Sequence, residues 1–176
     1  MSDKNLRYLI GITMIPGIGS ITARKLIAYT GSAEAVFYES KKNLLKIPDI
    51  GEKIAAAVAN NQVIASADKE IEFIEKNGMR VYSCFDKAFP ERLKECDDAP
   101  LVLYVRGNAD LNAKKILGVV GTRNATQYGK DCTERIIRDL AEHGTAPLIV
   151  SGLAFGIDIA AQIKLERDLC APQRTD

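Results

Sequence analysis

The chain has 176 residues, of which 47% are hydrophobic, 27% charged and 6% aromatic. That composition suits one domain of ordinary size, or a small domain joined to part of a larger one, and excludes a mostly disordered protein. With 24 Lys and Arg against 23 Asp and Glu, the formal net charge is +1, which excludes a histone-like binder but leaves room for a local basic site.

The start, MSDKNLRYLIG, has neither the uninterrupted apolar stretch nor the cleavage site of a signal peptide. No apolar run approaches the ~18–20 residues of a membrane helix. Residues 1 to 78 then read as helical. Leu6, Leu9, Ile10, Ile12 and Ile15 keep helical spacing, followed by Ile21, Leu26 and Ile27, by Val36 and Phe37, and by Ile54, Ala57 and Val58. A longer amphipathic stretch carries Val63, Ile64, Ala67, Ile71 and Ile74 and stops at Asn77-Gly78, a common helix-ending pair. The segments are punctuated by Pro16-Gly17, Gly31, Pro48 and Gly51, which predicts a bundle of about five or six short helices.

A weak repeat runs through this part. Ile15-Pro16-Gly17-Ile18-Gly19 recurs as Ile47-Pro48-Asp49-Ile50-Gly51, each followed by a helical segment. The pattern resembles the hairpin of helix-hairpin-helix modules, in which Pro and Gly turn the chain tightly and leave backbone N–H groups open to a phosphate at the next helix. Gly17, Gly19, Arg24 and Lys25 form a possible secondary DNA contact, with Lys53 as another charge. The other reading of both hairpins is packing or protein contact. Asp49 weakens the second copy for phosphate, although a carboxylate there suits a helix cap. Gly17-Ile18-Gly19 follows a helical segment and not a strand, so it is not a dinucleotide fingerprint.

After Gly78 the periodicity changes, and the expected domains are 1–78 and 79–176. Strands are predicted at 79–83, 101–105, 116–120 and 148–150. The last two are continuous apolar runs of the kind covered on both faces in parallel sheets. Gln127 to Glu142 lies between them as a helix whose apolar face is Ile136, Ile137, Leu140 and Ala141, giving a βαβ unit. The fold class is therefore α/β, a small helical bundle followed by a partial Rossmann-like, doubly wound parallel sheet.

Two strand-to-helix loops carry the chemistry. Gly121-Thr122-Arg123-Asn124-Ala125-Thr126 follows the third strand, and Ser151-Gly152-Leu153-Ala154-Phe155-Gly156-Ile157-Asp158 follows the fourth. Parallel neighbours would bring both to one carboxyl edge, where open α/β sheets bind ligands. Gly121, Gly152 and Gly156 permit close approach, Thr122, Thr126 and Ser151 offer hydroxyls, and Arg123 offers a planar fork for phosphate oxygens. Thr126 reads first as a helix cap. Asp158, in the first turn of the last helix, reads either as a cap or as a ligand contact. Phe155 is expected to pack in the core, with base stacking as the alternative.

Zinc and disulfide frameworks are not indicated. Cys84, Cys96, Cys132 and Cys170 lie far apart, and His143, before Gly144 at a helix end, is the only histidine. Reduced, buried thiols are expected. No nucleophile elbow, Walker A or zinc-protease pattern occurs, so a binding protein without a cofactor or metal explains the loops more simply than an enzyme does.

Gly121-Thr122-Arg123 with Tyr128-Gly129, followed by Ser151-Gly152-Leu153-Ala154-Phe155-Gly156-Ile157-Asp158, resembles the DprA/Smf family of bacterial DNA-processing proteins. The family pattern is G-[ST]-R-x-x-[ST]-x-Y-G, then S-G-x-A-x-G-I-D. Phe89-Pro90-Glu91-Arg92-Leu93 and Ala99 through Gly107 are similar to its lead-in, and the resemblance runs to about residue 163. It implies a cytoplasmic protein that binds single-stranded DNA without strong sequence preference, protects strands during natural transformation and helps load the RecA recombinase. It also implies a homodimer built through the Rossmann-like domain. Carried over by motif, Arg123 would contact the DNA backbone, with Gly121 and Thr122 in the same loop, while Ser151, Gly152, Gly156 and Asp158 shape the anion pocket. After Gln162 the sequence departs from the family, which continues with further strands and helices. The chain is therefore expected to be a truncated or frameshifted member, or a fragment, with an apolar strand edge open at 148–150. Two other readings stand beside this one. The first is a phosphoribohydrolase-like enzyme on the same sheet type, although its P-G-G-x-G-T-x-x-E motif is absent. The second is a non-functional remnant or interaction fragment.

Overall fold

The computed structural model describes residues 3–60, 62–144 and 147–162. The expected unstructured tail and Cys170 lie outside the described residues. The chain forms two compact units, Met1–Asn112 and Ala113–Asp176.

The first unit opens with six helices, α1 (Asp3–Thr13), α2 (Ser20–Thr30), α3 (Ala33–Tyr38), α4 (Lys41–Leu44), α5 (Glu52–Ala59) and α6 (Val63–Lys76). Their ends follow local chemistry. Gly31 closes α2 at φ +89 with its N–H on the Ile27 carbonyl. The Ser32 and Ser40 hydroxyls accept the Ala35 and Asn43 amides at 3.0 and 3.2 Å, capping α3 and α4. Leu9, Ile10, Ile12, Leu26, Val36, Leu44 and Val58 are fully buried in one core.

The repeat is real in three dimensions. Gly17 (φ +84) and Asp49 (φ +66) take the same left-handed position in the two hairpins. Ile18 N–H donates to Ile15 O, and Ile50 N–H to Ile47 O, each at 3.1 Å. All four isoleucines are buried. Gly19 and Gly51 then cap α2 and α5 in extended conformation without a side-chain bond.

The change from helix to strand falls where it is expected, at Gly78 (φ +59), but the compact unit does not end there. Strands β1 (Arg80–Ser83) and β2 (Val102–Val105) pair antiparallel, Arg80 opposite Val105 and Ser83 opposite Val102. Leu101 and Val102 are buried in the helical core, and Met79, Val81 and Tyr104 pack against it. A two-stranded ribbon is marginal alone and is stabilised by packing against helices. Residues up to Asn112 therefore share a compact unit with the bundle, and the parallel pairing falls to the last two strands, as their continuous apolar runs predict. The short helix α7 (Glu91–Lys94) follows the fully buried Phe89.

The second unit is the βαβ element. Strands β3 (Ile116–Gly118) and β4 (Leu148–Val150) pair parallel, with Ile116, Leu117 and Gly118 opposite Leu148, Ile149 and Val150. Helix α8 (Gln127–Glu142) connects them. Residues 157–162 are again helical. Ile137, Ile149 and Ala161 form the small buried core, with Leu117 and Val119 against it. Only Ile137 of the expected α8 face is buried, and Ile136 is 55% exposed. A sheet of two short strands covers one stripe of a helix, not the wide face drawn from periodicity.

Candidate functional site

Because β3 and β4 are parallel, the 119–126 and 151–156 loops leave the same edge of the sheet. Pairing runs one bond past the strand, Val119 N–H donating to Val150 O at 2.8 Å, so the loops begin side by side.

Asp158 joins them. Its carboxylate accepts the Gly121 N–H at 3.1 Å through Oδ1 and the Gly152 N–H at 3.0 Å through Oδ2. The residue is 4% exposed. One buried carboxylate thus serves as a clasp between two loops, a charge-assisted arrangement stronger than a neutral pair of bonds. Both of its carboxylate oxygens are thus engaged by backbone N–H groups of the loops.

Ser151 is equally engaged. Its hydroxyl donates to Asp158 O at 3.3 Å and accepts from Leu153 N–H at 3.3 Å and Gln162 Nε2 at 3.2 Å. Gln162 also donates to Ile149 O at 3.3 Å. Gln162 is a site-building residue that sequence reasoning passed over. Its signal was spacing, four residues after Asp158 on one helix and so on the same face.

The glycines are sites of close approach. A β-carbon at Gly156, which sits at φ +92, would lie 2.1 Å from Thr122 O and 2.8 Å from Arg123 O. At Gly121 it would lie 2.5 Å from the Ile157 side chain, and at Gly152 3.1 Å from Asp158 Oδ2. Ile157 N–H donates to Thr122 O at 3.2 Å. The glycines therefore lock loop to loop, where the sequence suggested backbone approaching a ligand.

Thr122 and Arg123 are exposed. The Thr122 hydroxyl accepts Asn124 N–H at 3.2 Å, leaving its own proton free to turn outward. The Arg123 guanidinium makes no hydrogen bond or ion pair among the described residues. Thr126 is the N-cap of α8, accepting Gly129 N–H at 3.2 Å. Its neighbour Tyr128 is exposed, and a hydrogen bond with Cys132 pushes its phenol above the ordinary value. Phe155, expected in the core, is 79% exposed instead, because its loop bows out between the fixed points Gly152 and Gly156.

The secondary candidates lie in the first unit. Gly17 and Gly19 are open, with no atom within 4 Å of an added β-carbon. Arg24 donates to the Asp97 carbonyl, and Lys25 pairs with the Asp49 carboxylate and lies 3.3 Å from Pro48 O. Both cations are thus used within their own unit. The first hairpin's helix also neutralises the acidic turn of the second.

The remaining reactive groups are plain. His143 sits at the end of α8 with Nδ1 2.7 Å from Asp139 O. Among the described residues the cysteines are free and no group of metal ligands occurs. Cys84 and Cys132 are half-buried and Cys96 is exposed, in contrast to the buried thiols expected. Burial pushes the Cys84 thiol up. No helix of the described residues is long and apolar enough to cross a membrane.

Two family models match the chain, and the longer match begins within the first compact unit and runs into the second. Residues 80–168 match the family model of DNA recombination-mediator protein A, and residues 8–60 match the SAM-like helix-hairpin-helix tandem. The DNA processing protein DprA of Bacillus subtilis is 32% identical over 111 residues, 61% of this chain and 37% of that protein. DprA of Streptococcus pneumoniae is 39% identical over 82 residues, 47% of this chain and 28% of that protein. Protein Smf of Synechocystis is 25% identical over 165 residues, 92% of this chain and 41% of that protein. The chain spans less than half the length of these curated relatives.

Proposed function

The chain belongs to the DNA recombination-mediator protein A family, and from that premise we propose that it is a cytoplasmic DNA-processing protein that binds single-stranded DNA through phosphate contacts at the clasped loops. Arg123 is the principal contact, with the Thr122 hydroxyl beside it. Gly121, Ser151, Gly152, Gly156 and Asp158 hold the loop that presents them. The observation that carries this reading is the exposed guanidinium of Arg123, without a partner among the described residues, on a loop fixed by the buried carboxylate of Asp158. A loop arginine kept for a structural ion pair would have its carboxylate within reach. Arg123 has none among the described residues and keeps its planar fork open to solvent, as suits phosphate oxygens.

In the same proposal the protein shields incoming strands and helps load the RecA recombinase, acting as a homodimer. It binds and does not catalyse. The names of the relatives, DNA processing protein and Smf, support the DNA-processing part.

The test is fluorescence anisotropy of a labelled oligo-dT strand titrated with the 176-residue chain. Binding is expected to weaken steeply with salt as counterions are released. Arg123→Ala is expected to lose about 1–3 kcal/mol of binding. Salt-independent binding, or an alanine variant equal to wild type, would sink the proposal. Release of free base from a nucleoside monophosphate would favour the phosphoribohydrolase-like alternative.

A further inference from the structure

If the clasped loops bind a single strand as proposed above, one of them also carries groups suited to its bases. The second loop presents two large apolar side chains to water, Leu153 at 66% exposure and Phe155 at 79%. Their exposure is built into the backbone. Gly152 N–H is held by Asp158, Leu153 N–H by Ser151, and Ile157 N–H by Thr122 O. Gly156 lies against the carbonyls of Thr122 and Arg123, where no β-carbon fits. Between these fixed points Leu153 adopts φ +54, a left-handed conformation that L side chains rarely take. An unfavourable backbone that projects apolar groups outward is retained where the projection has a use.

We propose that Phe155 is a stacking platform for an unpaired base, working beside the phosphate contact of Arg123. The two residues lie on loops in direct backbone contact, Gly156 against Arg123 O. A free guanidinium and a bare aromatic face on adjoining loops match one nucleotide of a single strand, with its phosphate on the cation and its base on the ring. Every base has a π-face, so the contact is tolerant of sequence. In a duplex the base faces are covered by their neighbours, so the contact selects single strands. The charge of Arg123, on the loop whose backbone Gly156 meets and without a partner among the described residues, favours a nucleic acid over a second copy of the chain as occupant.

The chain has no tryptophan, so Phe155→Trp places a single indole reporter in the loop. Titrated with oligo-dT, its emission is expected to quench and to saturate at the affinity found by anisotropy. Phe155→Ala is expected to weaken oligo-dT binding about tenfold with an unchanged salt slope, and to leave binding to blunt duplex as it is. Circular dichroism and melting of both variants should match wild type, since the side chain is exposed. Wild-type affinity in Phe155→Ala, or unchanged Phe155→Trp emission at saturation, would overturn the proposal. Reduced self-association of Phe155→Ala by light scattering, with oligo-dT binding intact, would assign the loop to a second copy instead. If Arg123→Ala weakens binding and Phe155→Ala does not, the stacking inference alone fails. If wild type binds no strand, both fall.

Discussion

The two units of this chain use the same residue types to opposite ends. In the first, Arg24, Lys25 and Lys41 are each spent on a partner within the unit, on Asp97, Asp49 and Glu52, and one extensive core is buried, although Ile21, Tyr29, Tyr38, Phe73 and Phe85 stay exposed. In the second, the core is Ile137, Ile149 and Ala161, while Val120, Tyr128, Leu153 and Phe155 stand in water and Arg123 faces outward. The buried polar chemistry of the second unit goes into fixing two loops.

The glycines offer the sharpest way to break that comparison. Gly17 and Gly156 both have positive φ, but Gly17 faces open space and Gly156 lies against the Thr122 and Arg123 carbonyls. Gly17→Ala is expected to cost about 1–2 kcal/mol, the strain of a β-carbon in the left-handed region. Gly156→Ala adds a clash with backbone that cannot move aside, and is expected to cost about 3 kcal/mol or more. Native-state hydrogen exchange separates the two, since each effect should appear in its own unit. Equal costs would show that the loops of the second unit are as free as a hairpin tip.

The Asp158 clasp is the next test. Asp158→Asn keeps the shape and one carbonyl acceptor, but turns an amide N–H₂ toward a backbone N–H that the carboxylate had accepted. A loss of about 2 kcal/mol is expected, read by exchange at the Gly121 and Gly152 amides. Oligo-dT affinity should fall with it, because Arg123 is carried on the released loop. Retained protection at both amides would mean that the loops hold each other without the carboxylate.

Much of this architecture was legible in the residues. Gln127 to Glu142 and 148–150 were read at the observed bounds because periodicity and punctuation are local. The repeat was legible through Pro and Gly, down to Asp49 standing in for a glycine. What failed was non-local. Nothing in the sequence of 79–105 says whether Val81 and Val102 pack on helices or on another strand, so the packing of this ribbon on the bundle was not legible. The clasp joins residues far apart in the chain, which no spacing rule pairs. Phe155 is 79% exposed because apolar character predicts burial only where a neighbour exists to cover it.

The smallest effect is expected at the contact between the two hairpins. Asp49 holds φ +66, where Gly17 holds +84 in the first copy, and its carboxylate pairs with Lys25 at the surface. Asp49→Gly relieves left-handed strain, worth about 1 kcal/mol. It also adds unfolded-state freedom and removes an exposed ion pair, each worth less than about 1 kcal/mol. The terms oppose one another, so stability by urea denaturation should change by no more than about 0.5 kcal/mol. The same variant frees Lys25 at the first hairpin. If the hairpins only pack the bundle, oligo-dT affinity and its salt slope stay as in wild type, which is the expected result. A steeper salt slope would mean that the released lysine finds a phosphate. The first unit would then be a second nucleic-acid surface held in check by Asp49, and the contrast between the two units would be one of degree.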